Sequence, residues 1–131
     1  MNIKYITPLL LLLLFGVGCK GTNPKKEIDK EKISSLLDQG SVKIIDVRTI
    51  EEYEEEHIPG AINYPIESLK DSLINLDKSE EIIVVCRTGN KSGKAERLLI
   101  ENGFEKVYDG GKWQNVDEII KEKQKYKTGN N

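Results

Sequence analysis

The sequence predicts an α/β layer fold around a mostly parallel sheet, and three observations carry that reading. Apolar β-branched runs alternate along the chain with segments whose apolar residues recur at helical spacing. Glycine- and proline-marked turns, such as Pro59-Gly60 and Asn102-Gly103, separate them. Ile82-Ile83-Val84-Val85 is unbroken, as a central strand covered on both faces requires.

Each element follows from local chemistry. Asp29 is placed to cap a first helix whose inner face is Ile33, Leu36 and Leu37, and Gly40 sits where a helix stops. Val42 to Val47 reads as a strand closed by Asp46-Val47-Arg48. Thr49 caps the acidic stretch Glu51 to Glu56, expected as a short helix with a solvated face. His57-Ile58-Pro59-Gly60 is a turn, and Ala61 to Tyr64 a short strand. Apolar residues at 66, 69, 73 and 76 predict a helix over that span. After the Ile82–Val85 strand, Ala95, Leu98 and Leu99 share one helix face that ends near Asn102-Gly103. Lys106 to Tyr108 is a last strand and Gly110-Gly111 a turn. Trp113, Val116, Ile119 and Ile120 mark a final amphipathic helix.

The chain has 131 residues and a formal charge of −2, so one domain fits and nothing suggests nucleic-acid binding. Its start reads as an export signal. Lys4 precedes an apolar run, Leu9 to Val17, shorter than the roughly 20 residues that span a bilayer. Gly18-Cys19 follows, and small residues before a cysteine at that place resemble the lipobox of bacterial lipoproteins. The expected organisation is a signal peptide over 1–18, a lipidated Cys19 with a polar tether to 27, a folded domain over 28–125 and a polar tail over 126–131. The expected location is the outer side of a bacterial membrane, facing periplasm or exterior, with the lipid as membrane contact.

Two cysteines do not make a disulfide framework, and lipidation of Cys19 leaves Cys86 as the one thiol. Cys86 ends the apolar strand, and Arg87-Thr88-Gly89-Asn90-Lys91-Ser92 leads into a helix. Loop amides and a positive helix end around the sulfur favour its thiolate, the nucleophilic form. Arg87 and Lys91 add positive charge, and Gly89 permits backbone angles that other residues resist. One histidine and one free cysteine give no metal-ligand cluster of recognised spacing, so neither metal nor cofactor is expected.

Three landmarks occur in order: Asp46-Val47-Arg48 with Glu52-Tyr53, then His57-Ile58-Pro59-Gly60-Ala61, then Cys86-Arg87-Thr88-Gly89-Asn90-Lys91-Ser92. Together they resemble the single-domain rhodaneses, which are sulfurtransferases with a three-layer fold. The resemblance implies that Cys86 takes sulfane sulfur from a small anion such as thiosulfate. It would hold that sulfur as a persulfide and pass it to cyanide or a thiol. Arg87, Thr88, Gly89, Asn90, Lys91 and Ser92 would bind the anion, with Asp46 and Arg48 as supporting ion pairs or hydrogen bonds. Lys91 stands where many members of the family have arginine, so a point charge replaces a bidentate fork. His57 reads as a turn residue and Trp113 as core or pocket wall. Two other readings differ in class. One is a non-catalytic or sulfur-relay module that binds a protein donor or acceptor at the membrane surface. The other, a phosphatase or arsenate reductase of the related Cdc25 type, needs an arginine six positions after the cysteine, where this chain has Ser92.

Overall fold

A computed structural model describes residues 27–129. The expected signal peptide, Cys19 and the tether up to residue 26 lie outside the described residues. Four strands and five helices alternate: α1 (Lys30–Gln39), β1 (Lys43–Asp46), α2 (Ile50–Glu55), β2 (Ile62–Asn63), α3 (Leu69–Ser72), β3 (Ile82–Cys86), α4 (Asn90–Glu101), β4 (Val107–Lys112) and α5 (Trp113–Thr128). The strands form one sheet in the order β2-β1-β3-β4, and every pairing is parallel.

Period-two alternation along β3 divides the molecule into three layers. Ile82, Val84 and Cys86 face one side, with Leu69 of α3, Ala95 and Leu99 of α4, and Phe104. Ile83 and Val85 face the other, with Ile33 and Leu36 of α1 and Trp113 and Val116 of α5. Every residue of β3 is buried, which is why that strand carries no polar position before its last. The helix ends follow the sequence. Asp29 accepts the Lys32 N–H at 2.9 Å, and Gly40 closes α1 in the left-handed region. Thr49 and Glu52 form a reciprocal capping box at the start of α2.

Two expectations change. The helix predicted over Ile66–Leu76 is only α3 followed by a 3-10 turn, Leu73–Asn75. Leu69 and Leu76 are buried there, and Ile66 and Leu73 pack partly buried against the same core, so the apolar spacing marks core contacts made without one continuous helix. Gly110-Gly111 is not a turn but the middle of β4. The register passes from Val84↔Asp109 to Val85↔Gly111, so Gly110 is the extra residue of a bulge. A Cβ at Gly110 would lie 2.8 Å from Ile83 Cγ2 and 3.0 Å from both Val85 Cγ1 and Val116 Cγ2. Only glycine lets α5 and the sheet meet there. The last helix, α5, runs to Thr128, so the first three residues of the polar span 126–131 are helical.

Candidate functional site

From β1 the chain moves outward to β2; from β3 it moves the opposite way to β4. The carboxyl ends of β1 and β3 therefore border the crevice where the winding reverses, the usual ligand position in open parallel sheets. Asp46 pairs with Val85 in register, and the Val47 N–H donates to the Val85 carbonyl at 2.9 Å. This brings Asp46-Val47-Arg48 beside Cys86.

Cys86 is a free thiol, 1% exposed. Its Sγ accepts the Gly89 N–H at 3.0 Å. Gly89 reaches that position at φ +89°, ψ −5°, and it caps α4 without a side chain. The end of α4 that carries unpaired N–H groups thus begins at the sulfur. Ser92 is fully buried and donates its hydroxyl to the Gly89 carbonyl at 3.1 Å. Its side chain braces the loop from inside.

A cavity of about 240 Å³ opens onto Cys86, bordered by Arg48, Thr49, Glu52, Arg87, Thr88 and Lys91. Gly89 and Asn90 line a different hollow, of about 450 Å³, on the far side of the loop; Thr88 touches both. The loop cations do not stand alone. Arg87 Nε lies 3.5 Å from Glu52 Oε1, and Lys91 Nζ lies 3.2 Å from Glu67 Oε1. The Glu67 carboxyl is held below the usual carboxylate range, first by its own backbone N–H and then by the Lys91 ammonium.

Asp46 and Arg48 pair with each other at the end of β1. Arg48 Nη2 donates to Asp46 Oδ2 at 2.7 Å and to the Glu56 carbonyl at 2.7 Å, and Arg48 Nε lies 3.0 Å from both carboxylate oxygens. The Arg48 backbone N–H donates to Asp46 Oδ1 at 3.0 Å. The guanidinium also covers the Trp113 ring, 4.8 Å from its centroid. Asn63 Nδ2 donates to the Asp46 and Arg48 carbonyls, both at 3.0 Å, tying β2 to the same corner. Asp46 is fully buried and Arg48 5% exposed, so the pair is held by geometry rather than screened by solvent.

His57 is exposed and outside the cavity. Its ring stacks on Tyr53 with centroids 3.8 Å apart, and Nδ1 lies 2.7 Å from the Tyr53 carbonyl, so it is a turn residue. Trp113 belongs to the core. Sequence reasoning missed Glu52, which it placed on a solvated face. Glu51, Glu54, Glu55 and Glu56 are exposed, but Glu52 turns into the cavity. The usable signal was the spacing Thr49-x-x-Glu52, which fixes a carboxylate against the start of a helix. Among the described residues no three histidine, cysteine, aspartate or glutamate side chains are grouped as a metal site.

The sequence model of the Rhodanese-like domain matches residues 29–114. A Bacillus subtilis protein named putative sulfur carrier protein YrkF is 38% identical over 82 residues, covering 62% of this chain and 44% of that protein. The Escherichia coli thiosulfate sulfurtransferase PspE is 39% identical over 69 residues, covering 51% of this chain and 66% of its own. The matched stretch is thus less than half of the one relative and just under two thirds of the other. Among solved structures, the rhodanese-like domain of the Anabaena protein Alr3790 superposes with a TM-score of 0.59 at 32% identity, over 70% of this chain and 71% of that one. With a four-stranded parallel sheet between helical layers and a cysteine loop at its switch point, this chain belongs to the rhodanese-like domain family.

Proposed function

We propose that this protein is a sulfurtransferase that carries sulfane sulfur as a Cys86 persulfide. The observation behind the reading is the Gly89 N–H donated to Cys86 Sγ at 3.0 Å, where a cavity meets the start of α4. A donor of this kind holds an anionic sulfur more strongly than a neutral one. The Cys86 thiolate attacks the outer sulfur of a donor such as thiosulfate. A Cys86–S bond forms, the donor S–S bond breaks, and its electron pair leaves with sulfite. An acceptor, cyanide or a thiolate, then attacks the outer persulfide sulfur and returns Cys86 as thiolate. The name of the Escherichia coli relative supports thiosulfate as a donor, and that of the Bacillus relative supports a carrier role in which proteins give and take the sulfur.

Intact mass spectrometry of the purified protein, before and after thiosulfate or glutathione persulfide, tests this. Wild type gains one sulfur atom that cyanide removes, and Cys86→Ser gains none. Reduced, folded protein that takes no sulfur from either donor overturns the reading.

The same proposal places the enzyme outside the cell membrane, held by lipid on Cys19. Support is confined to the sequence: an apolar run, Leu9 to Val17, ending at Gly18-Cys19. Radiolabelled palmitate incorporated by wild-type cells and not by Cys19→Ala cells is the expected result. Equal labelling of the two sinks the assignment.

A further inference from the structure

The cations at the Cys86 cavity are paired. Three cations border it, and each already has an anionic partner: Arg48 has Asp46, Arg87 has Glu52 and Lys91 has Glu67. Of the three carboxylates, only Glu52 itself borders the cavity. Both of its oxygens have partners. Glu52 Oε2 accepts the Thr49 N–H at 3.2 Å and the Thr49 hydroxyl at 3.5 Å, while Oε1 faces Arg87 Nε. The capping box that starts α2 therefore fixes a negative charge at the mouth of the site. Because each cation is paired, an incoming dianion meets less positive charge than the loop sequence alone offers.

We infer that Glu52 sets donor preference: it disfavours small dianions such as thiosulfate relative to persulfides of thiols, whose reactive end carries less charge. This rests on the persulfide reading above. With a persulfide donor in its neutral form, the Cys86 thiolate attacks the terminal sulfur. The new Cys86–S bond forms, the donor S–S bond breaks, the electron pair leaves with the donor thiolate, and the proton stays on the transferred sulfur. No oxidant or reductant enters. Glu52 is a specificity residue in this scheme; it acts by charge and by retaining Arg87, and it takes no part in bond making.

The test is the ratio of kcat/KM for thiosulfate to that for glutathione persulfide, in wild type and in Glu52→Gln. The glutamine keeps an oxygen for the Thr49 N–H and removes the charge. A neighbouring unit charge acting on a dianion through partly solvated space changes its binding about three- to tenfold at low salt. The ratio therefore rises about three- to tenfold, mainly through KM for thiosulfate, and the difference shrinks as added salt shortens the Debye length. A purely structural role for Glu52 would lower both donors alike and would not respond to salt. Arg87→Gln, at a position whose side chain is 72% exposed, moves the ratio the other way and carries the test alone should Glu52→Gln fail to fold. An unchanged or lowered ratio in Glu52→Gln, with wild type still loading sulfur from at least one donor, overturns this inference and leaves the sulfurtransferase reading standing. Failure of wild type to load from either donor removes the reading on which it rests.

Discussion

Replacing Gly89 by alanine separates what the loop costs from what it does. Gly89 sits at φ +89°, and a Cβ there meets nothing closer than the Gly111 Cα at 3.7 Å. Space is not the obstacle; backbone conformation is. An L-residue in the left-handed region costs about 1–2 kcal/mol, and alanine recovers about 0.4–1 kcal/mol through a less flexible unfolded chain. The net loss is about 1 kcal/mol, or about 4–8 °C in Tm for a domain of this size. The chain can relieve the strain by rotating φ of residue 89 toward negative values, which swings its N–H away from Cys86 Sγ. Loss of one preorganised donor to a charged reacting atom typically costs about 10²–10³ in rate. Gly40→Ala supplies the control. Gly40 has φ +72°, nothing lies within 4 Å of its Cβ position, and it ends α1 rather than approaching Cys86. Thermal unfolding and single-turnover sulfur loading from thiosulfate are measured for both variants. Both lose similar stability; only Gly89→Ala loses rate. A Gly89→Ala enzyme that loads at the wild-type rate, or a Gly40→Ala enzyme that slows as much, refutes the argument that this amide serves the sulfur.

Two further predictions concern stability. Asp46→Ala leaves the Arg48 guanidinium, 5% exposed, without its carboxylate; breaking such a pair costs about 3–5 kcal/mol, a Tm loss of at least about 12 °C. The double variant Asp46→Ala/Arg48→Met unfolds above the single one, because no buried charge is then left unpaired, and equal midpoints would count against the pair as the origin of the loss. Gly110→Ala pushes a methyl against Ile83, Val85 and Val116, all branched and buried; overpacking of this kind costs about 1–3 kcal/mol, and a chemical-denaturation midpoint equal to wild type would show that the β4 bulge yields instead.

What the sequence disclosed and what it hid divide along the range of the forces involved. Strand β3 was legible because burial on both faces demands an unbroken apolar run. The ends of α1 and α2 were legible because caps are local: Asp29, Gly40 and Thr49 act within one helical turn. The cysteine loop was legible as a strand end leading into a helix, and Cys86 lies there with a backbone N–H on its sulfur. The bulge at Gly110 was hidden, since a glycine pair signals a turn equally well, and only the approach of Val116 from α5 to the strand decides between them. The short α3 was hidden because periodicity records which residues are apolar, not whether the backbone between them stays in one helix. The electrostatics of the mouth were hidden too. Arg87 and Lys91 read as free positive charge, yet their partners are 35 and 24 residues earlier in the chain. A motif within one loop reports the chemistry that the loop can perform. The charge a substrate meets there is settled by residues on other elements, here the carboxylate that also starts α2. Relatives that share the Cys86 loop but differ at the position of Glu52 should therefore differ in donor preference while keeping the same sulfur chemistry.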